Sequence, residues 1–139
     1  MESKELDLEI ISPEKKVYTG KIISVTIPGT KGNFQVLYNH APLISTFETG
    51  IIKFELTDKT IRVFSTSGGS VEVLDNKVLI LSDTIEAVED INVERAKKSK
   101  ERAEDRLSKR GGIVDVDRAR ASLARALNRI KVSEKYSKN

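Results

Sequence analysis

The sequence predicts an α+β protein: an N-terminal antiparallel β-sandwich over residues 1–86, then a C-terminal two-helix antiparallel hairpin over residues 87–139. Three observations carry this expectation. Apolar residues alternate with polar ones up to about residue 85, whereas from Ile91 they recur at helical spacing. Turn-forming residues punctuate the first part as "SPEK", "PGTKG", "NHAP", "ETG", "SGG" and "DN". The charge divides at the same place. Residues 1–88 carry 9 Lys/Arg and 12 Asp/Glu, net −3, while residues 89–139 carry 15 and 9, net +6.

The strands follow in order from the alternation. Leu6, Leu8 and Ile10 mark the first, and Ile23, Val25 and Ile27 the second. Ile61 and Val63, Val71 and Val73, then Val78 and Ile80 mark later ones. Several short strands with turn signals between them read as a sandwich or barrel. Asn92 is a good N-cap for the first helix, whose stripe is Val93, Ala96, Ala103 and Leu107. Gly111-Gly112 stops that helix, and Asp115 or Asp117 starts the next. Val116, Leu123, Leu127 and Ile130 form its stripe, with Ala119 and Ala126 beside it. Both stripes are narrow, so the hairpin is expected to depend on docking against something else.

Composition removes several classes of function. Hydrophobic residues are 38% and charged residues 32%, which suits a modest core with much solvated surface. The chain has no cysteine, so disulfides, thiolate catalysis and cysteine metal sites are excluded, and a cytosolic compartment fits. No apolar run approaches the roughly 20 residues that span a bilayer. The opening "MESKELDLEI" is acidic and alternating, unlike a signal or transit peptide. His40 is the only histidine and precedes Ala-Pro in a turn, which suits a structural or interface role. "SGGS" at 67–70 lacks the lysine and following helix of a phosphate loop and reads as a hairpin turn. No catalytic residue and no metal site is expected. The basic second half leaves a competing reading, a β-domain whose helices bind nucleic acid, but those helices lack aromatic stacking residues before Tyr136.

Residues 11–54, "ISPEKKVYTGKIISVTIPGTKGNFQVLYNHAPLISTFETGIIKF", strongly resemble the N-terminal domain of the ε subunits of bacterial F-type ATP synthases. "SGGSVEVLDNKVLILSDT" at 67–84 and the helical tail extend the resemblance over almost the whole chain. It implies a noncatalytic rotor subunit on the central stalk, coupling proton translocation to ATP synthesis on the cytoplasmic face of the bacterial plasma membrane. The implied partners are the γ subunit, the ring of c subunits, and the α and β subunits when the hairpin extends and blocks ATP hydrolysis. It implies no nucleic acid, and contact with the membrane only through the complex. It places the c-ring contact on the loop Thr30, Lys31, Gly32 and Asn33, where Asn33 stands at a position acidic in some relatives.

The resemblance requires no cofactor but implies a regulatory ATP, because in some relatives the folded hairpin binds one. Their motif, Ile/Leu-Asp-x-x-Arg-Ala, is met here by Ile91, Arg95 and Ala96, with Asn92 in place of the aspartate. Glu86 stands at the upstream acidic position, and Arg125 and Arg129 at the second-helix pair. Asn92 therefore has two readings, a cap alone or a cap that also belongs to a ligand site. Arg118, Arg125 and Arg129 share one face of the second helix, as Arg95, Arg102 and Arg106 do on the first. The resemblance makes the former set a docking face for acidic segments of the β subunits; solvated charge is the plainer reading.

Overall fold

The computed structural model describes residues 4–108 and 116–136. The chain falls into two compact units, Met1–Ala87 and Val88–Asn139. The first contains seven strands: β1 Leu6–Ile11, β2 Lys16–Gly29, β3 Gly32–Leu37, β4 Leu43–Leu56, β5 Ile61–Leu74, β6 Lys77–Ser82 and β7 Ile85–Ala87. The second contains a 3₁₀ turn, Val88–Asp90, and two helices, α1 Val93–Ser108 and α2 Val116–Tyr136.

The sheet order is β1-β6-β5-β4-β2-β3, with β7 on β5, and β1 also pairs with β2. Five strands therefore close into a ring. Each ring pair is antiparallel except β1–β6, which is parallel. Parity requires this: directions cannot alternate all the way round a ring with an odd number of members. The β-sandwich expected from sequence is present, with that one parallel pair added to the antiparallel set. Closure leaves β3 and β7 as the outer strands and reduces the unpaired edge.

Alternation fills the interior. Leu6, Leu8 and Ile10 of β1, Val71 and Val73 of β5, and Val78 and Ile80 of β6 all point inward. Phe54 is buried at the centre, with ring centroids 4.7 Å from Tyr18 and 5.6 Å from Phe64. Burial raises the pKa of the Tyr18 hydroxyl, and nearby Arg62 partly offsets this.

Two expected turns are strand interior instead. Gly50 of "ETG" lies within β4, opposite Thr66. "SGGS" lies within β5, where the strand exchanges its neighbour β7, at Phe64–Thr66, for β6, at Gly69–Leu74. Gly68 has φ +118, and a Cβ on Gly69 would collide with the Leu81 carbonyl oxygen. Glycine is needed there for a change of partner rather than a reversal. True reversals occur at Asp75-Asn76, whose φ values of 49° and 62° suit a tight hairpin, and at Thr30-Lys31.

In the second unit, α1 and α2 pack together. The buried residues are Ala96 and Ala103 on α1, with Ala119, Ala126, Val132 and Ser133 on α2. The expected stripe is only partly right: Val116 and Leu127 are 45% and 44% exposed. Small side chains let two helices approach closely, so alanines line most of the seam, with Val132, while Val116 and Leu127 lie off it. The stop at Gly111-Gly112 and the start at Asp115 lie outside the described residues; Asp117 is in the first turn of α2.

Candidate functional site

Three groups of residues singled out from sequence can be located. The first is the β2–β3 loop. Gly29 pairs with Gly32 and Pro28 with Asn33, so Thr30 and Lys31 form a two-residue tip carried on a strand pair. Thr30, Lys31, Gly32 and Asn33 are all exposed. Gly32 has φ +119 with open space around it, a backbone state that other residues enter only at a cost. The structure thus brings these four together on a polar tip fixed at its base.

The second group opens α1. The Arg95 backbone N–H donates to Asn92 Oδ1 at 3.0 Å, and the Ala96 N–H donates to the Asn92 carbonyl at 3.0 Å. Asn92 is therefore the N-cap, satisfying one of the amides that a helix start leaves open. Ile91 precedes it, half-buried, with its N–H donating to the Val88 carbonyl at 3.3 Å. The side chain of Arg95 is exposed and Ala96 is buried in the seam. Glu86 lies on β7, in the first unit, whereas Ile91, Asn92, Arg95, Ala96, Arg125 and Arg129 are in the second.

The third group is a row of arginines. At about 100° per residue, Arg118, Arg125 and Arg129 fall within roughly 20° of one line along α2. That line lies one step before the alanines Ala119 and Ala126. Arg95, Arg102 and Arg106 stand in the same relation to Ala96 and Ala103 on α1. In an antiparallel pair, the positions preceding the seam on the two helices lie along the same edge. Both rows therefore line one edge of the helix pair, although the sequence shows each only as a face of its own helix. The opposite edge is mixed, with Glu94, Glu101 and Glu104 on α1 and Arg120, Lys131 and Glu134 on α2. Arg129 is half-buried and the other five arginines are exposed. The signal that would have revealed this edge is the shared spacing of i, i+7 and i+11, offset by one from an alanine row, in two helices running opposite ways.

His40 serves the scaffold. Its Nδ1–H donates to the Ala41 carbonyl at 2.7 Å and its backbone N–H to the Leu37 carbonyl at 3.1 Å. The preceding Asn39 forms a reciprocal clasp with Asn76: N–H to Oδ1 at 2.6 Å and Nδ2 to Oδ1 at 3.1 Å. That clasp joins the β3–β4 loop to the β5–β6 turn. Among the described residues, no group of three or more His, Cys, Asp or Glu side chains is placed to hold a metal ion. Among the same residues, no helix is long and apolar enough to cross a membrane.

The division into strands and then helices is matched piece by piece in known proteins. Residues 5–88 match the beta-sandwich domain of the ATP synthase Delta/Epsilon chain, and residues 89–134 match its long alpha-helix domain. The chain belongs to the ATP synthase epsilon family. Similar chains include the ATP synthase epsilon chain of Desulfitobacterium hafniense, 47% identical over 91% of this chain and 94% of the relative. That of Nitratidesulfovibrio vulgaris is 44% identical over 93% and 96%. That of Desulforamulus reducens is 40% identical over 95% and 99%. Among solved structures, a chain of the Euglena gracilis mitochondrial ATP synthase (OSCP/F1/c-ring, rotational state 1) superposes with a TM-score of 0.77 at 20% identity, covering 88% of this chain and 77% of the other. One from the central stalk and c-ring of the Tetrahymena thermophila mitochondrial enzyme gives 0.64 at 14%, covering 96% and 99%. These two likenesses establish a shared fold.

Proposed function

We propose that the chain is a noncatalytic rotor subunit of a proton-translocating F-type ATP synthase, bound to the central stalk on the cytoplasmic face of a bacterial membrane. The observation that carries this reading is the pairing of a closed, well-filled sheet unit with a basic helix pair, in a member of the epsilon family. The two solved likenesses come from assemblies containing the F1 head, central stalk and c-ring. A subunit that turns under load needs a stiff module to hold the γ subunit and the c-ring. The exposed tip at Thr30, Lys31, Gly32 and Asn33 is the c-ring contact in this reading. Asn33 offers hydrogen bonds there and no ion pair.

The helical unit regulates. Its buried seam is formed by Ala96, Ala103, Ala119 and Ala126, with Val132 the one larger apolar side chain fully buried among the described residues of the helices. At about 0.8 kcal/mol per buried methyl-sized group, these alanines contribute about 3 kcal/mol, near what one or two buried leucines would add. Six arginines along one edge make a basic strip suited to an anion or an acidic surface. ATP fits as the first: Ile91, Asn92, Arg95 and Ala96 at the start of α1, with Arg125 and Arg129 on α2, form the nucleotide-binding set, and the arginines take the phosphates. At 100 times its dissociation constant, a ligand favours the folded pair by about 2.7 kcal/mol. Acidic segments of the β subunits, met by Arg118, Arg125 and Arg129 in an extended state with α and β chains, fit as the second. That state blocks ATP hydrolysis.

The test is reconstitution of the ATP synthase without this chain, with residues 1–87 alone, and with the full chain. The expected result is that 1–87 restores coupling of hydrolysis to proton pumping, while only the full chain also lowers hydrolysis when ATP is scarce. Equal hydrolysis with 1–87 and the full chain removes the regulatory role. Failure of either to co-purify with γ removes the rotor role.

A further inference from the structure

Strand β7 is three residues long, pairing Thr66 with Ile85, Ser65 with Glu86 and Phe64 with Ala87. A strand that short holds weakly by its ladder alone. What precedes it is fastened much more heavily. Thr66 Oγ1 and Ser82 Oγ are 2.7 Å apart, and these residues are only 2% and 3% exposed. Ser82 Oγ also lies 3.0 Å from the Thr84 carbonyl and 3.3 Å from the Gly68 carbonyl. Carbonyls only accept, so Ser82 donates to them, and Thr66 donates to Ser82. Thr66 Oγ1 in turn accepts the Gly68 N–H at 3.1 Å.

A second ring lies alongside. Ser67 N–H donates to the Thr84 carbonyl at 3.0 Å, and Thr84 N–H to Ser67 Oγ at 3.1 Å. Thr84 Oγ1 donates to Ser67 Oγ at 2.6 Å, and Asp83 N–H to the Gly68 carbonyl at 2.9 Å. Thr49 Oγ1 donates to the Ser67 carbonyl at 3.2 Å. Residues 82–84 are thus bolted to 66–68 through hydroxyls and backbone amides. At its other end β7 is anchored by Ala87, which is buried in the core. Beyond Ala87 the fastening changes: the 3₁₀ turn Val88–Asp90 buries no residue and belongs to the second unit, packing with α2.

We propose that the hydroxyl cluster of Thr66, Ser67, Ser82 and Thr84 is a latch that keeps β7 on the sheet in every state of the protein. The pivot for the helical unit is then Val88–Ile91, and Glu86 stays with the sheet whatever the helices do. The pivot rests on the regulatory reading above; the latch does not. The competing arrangement puts the pivot at Asp83-Thr84 and lets β7 travel with the helices.

Amide hydrogen exchange on the full chain, alone and in the assembled ATP synthase, tests the latch directly. Peptides covering 82–87 are expected to exchange at least tenfold more slowly than those covering 88–92; equal rates overturn the latch. In the variant Thr66→Val with Ser82→Ala, exchange at 85–87 is expected to rise at least tenfold while β1 is unchanged. Unchanged exchange at 85–87 overturns the hydroxyls as its cause. A cross-strand disulfide from Thr66→Cys with Ile85→Cys tests the pivot and needs no loss of fold. The oxidised variant and the unmodified chain are expected to give the same ATP-dependent change in distance between the sheet and α2, read by paired fluorophores. A response present in the unmodified chain and abolished in the oxidised variant overturns the pivot. A response absent in the unmodified chain as well overturns the regulatory reading and with it the pivot, and the exchange data then decide the latch alone.

Discussion

Two substitutions at Asn92 separate its role as a cap from a role in a ligand site. Asn92→Ala removes only the side-chain acceptor for the Arg95 N–H, a 3.0 Å bond, and leaves the backbone bond from Ala96 in place. Losing such a cap costs about 1 kcal/mol. On α1 that loss is large, because the seam there is mainly Ala96 and Ala103, at about 0.8 kcal/mol each. Amides in the first turns of α1 are therefore expected to exchange about fivefold faster, with sheet amides as an internal reference. Asn92→Asp keeps the acceptor and adds a negative charge at the helix start, a gain of about 0.3–1 kcal/mol. Exchange in that variant is expected to match or fall below the unsubstituted rate. ATP titration of the same three proteins reports the second role: the expected order of affinity is Asp, then Asn, then Ala, because a carboxylate holds donors more strongly than an amide. Exchange within twofold in the Ala variant refutes the cap as a source of stability. Identical ATP affinities in all three refute the ligand role and leave the cap standing.

Arg125→Ala with Arg129→Ala is expected to weaken ATP binding at least tenfold, by calorimetry, without moving the unfolding transition of the sheet unit; unchanged affinity moves the phosphate contact elsewhere. Phe54→Ala leaves a cavity between Tyr18 and Phe64 and is expected to cost about 3–5 kcal/mol in urea unfolding. The Thr60 N–H, 2.9 Å from Asp58 Oδ1, holds the exposed Asp58 carboxyl below its usual pKa. A depressed folded-state pKa gives stability that is present above the unfolded pKa and lost as pH falls through the folded one. Asp58→Asn is therefore expected to flatten the acid limb of stability below about pH 4, measured by thermal unfolding across pH 2–6.

Much of this architecture is legible in the residues, and the parts that are not have identifiable causes. The inward row Leu6, Leu8 and Ile10 can be read because burial repeats every second residue. The parallel β1–β6 pair cannot, since its members are some seventy positions apart (Asp7 beside Lys77) and ring closure fixes their direction. Gly50 and Gly68-Gly69 read as turns in sequence because composition reports a need for backbone freedom and not its use. On the helices, reading by side-chain size favours Val116 and Leu127, while close packing selects Ala119 and Ala126. The Asn92 cap depends on neighbours in sequence and was legible. The single edge formed by the two arginine rows depends on how the helices pair and was not. Nor was the hydroxyl latch, since serine and threonine are unremarkable in strands.

The two units differ in what their stability depends on, and the proposed division of labour follows from that difference. In the sheet, each ring strand is paired on both sides, and the interior holds Phe54, Phe64, Ile52, Ile80 and their neighbours, each contributing about 1.5–3 kcal/mol. Losing one contact leaves many others, so external ligands have little to add. In the helix pair, the small, mostly alanine seam gives much less. A few kcal/mol from any bound anion is then a large fraction of the total, and the same few kcal/mol from an acidic protein surface competes on equal terms. Hence a modest nucleotide affinity is enough to bias the helices, while the sheet, with a far larger margin, stays indifferent to the same ligand. A titration in which ATP raised the unfolding transition of the strands as much as that of the helices would contradict this division.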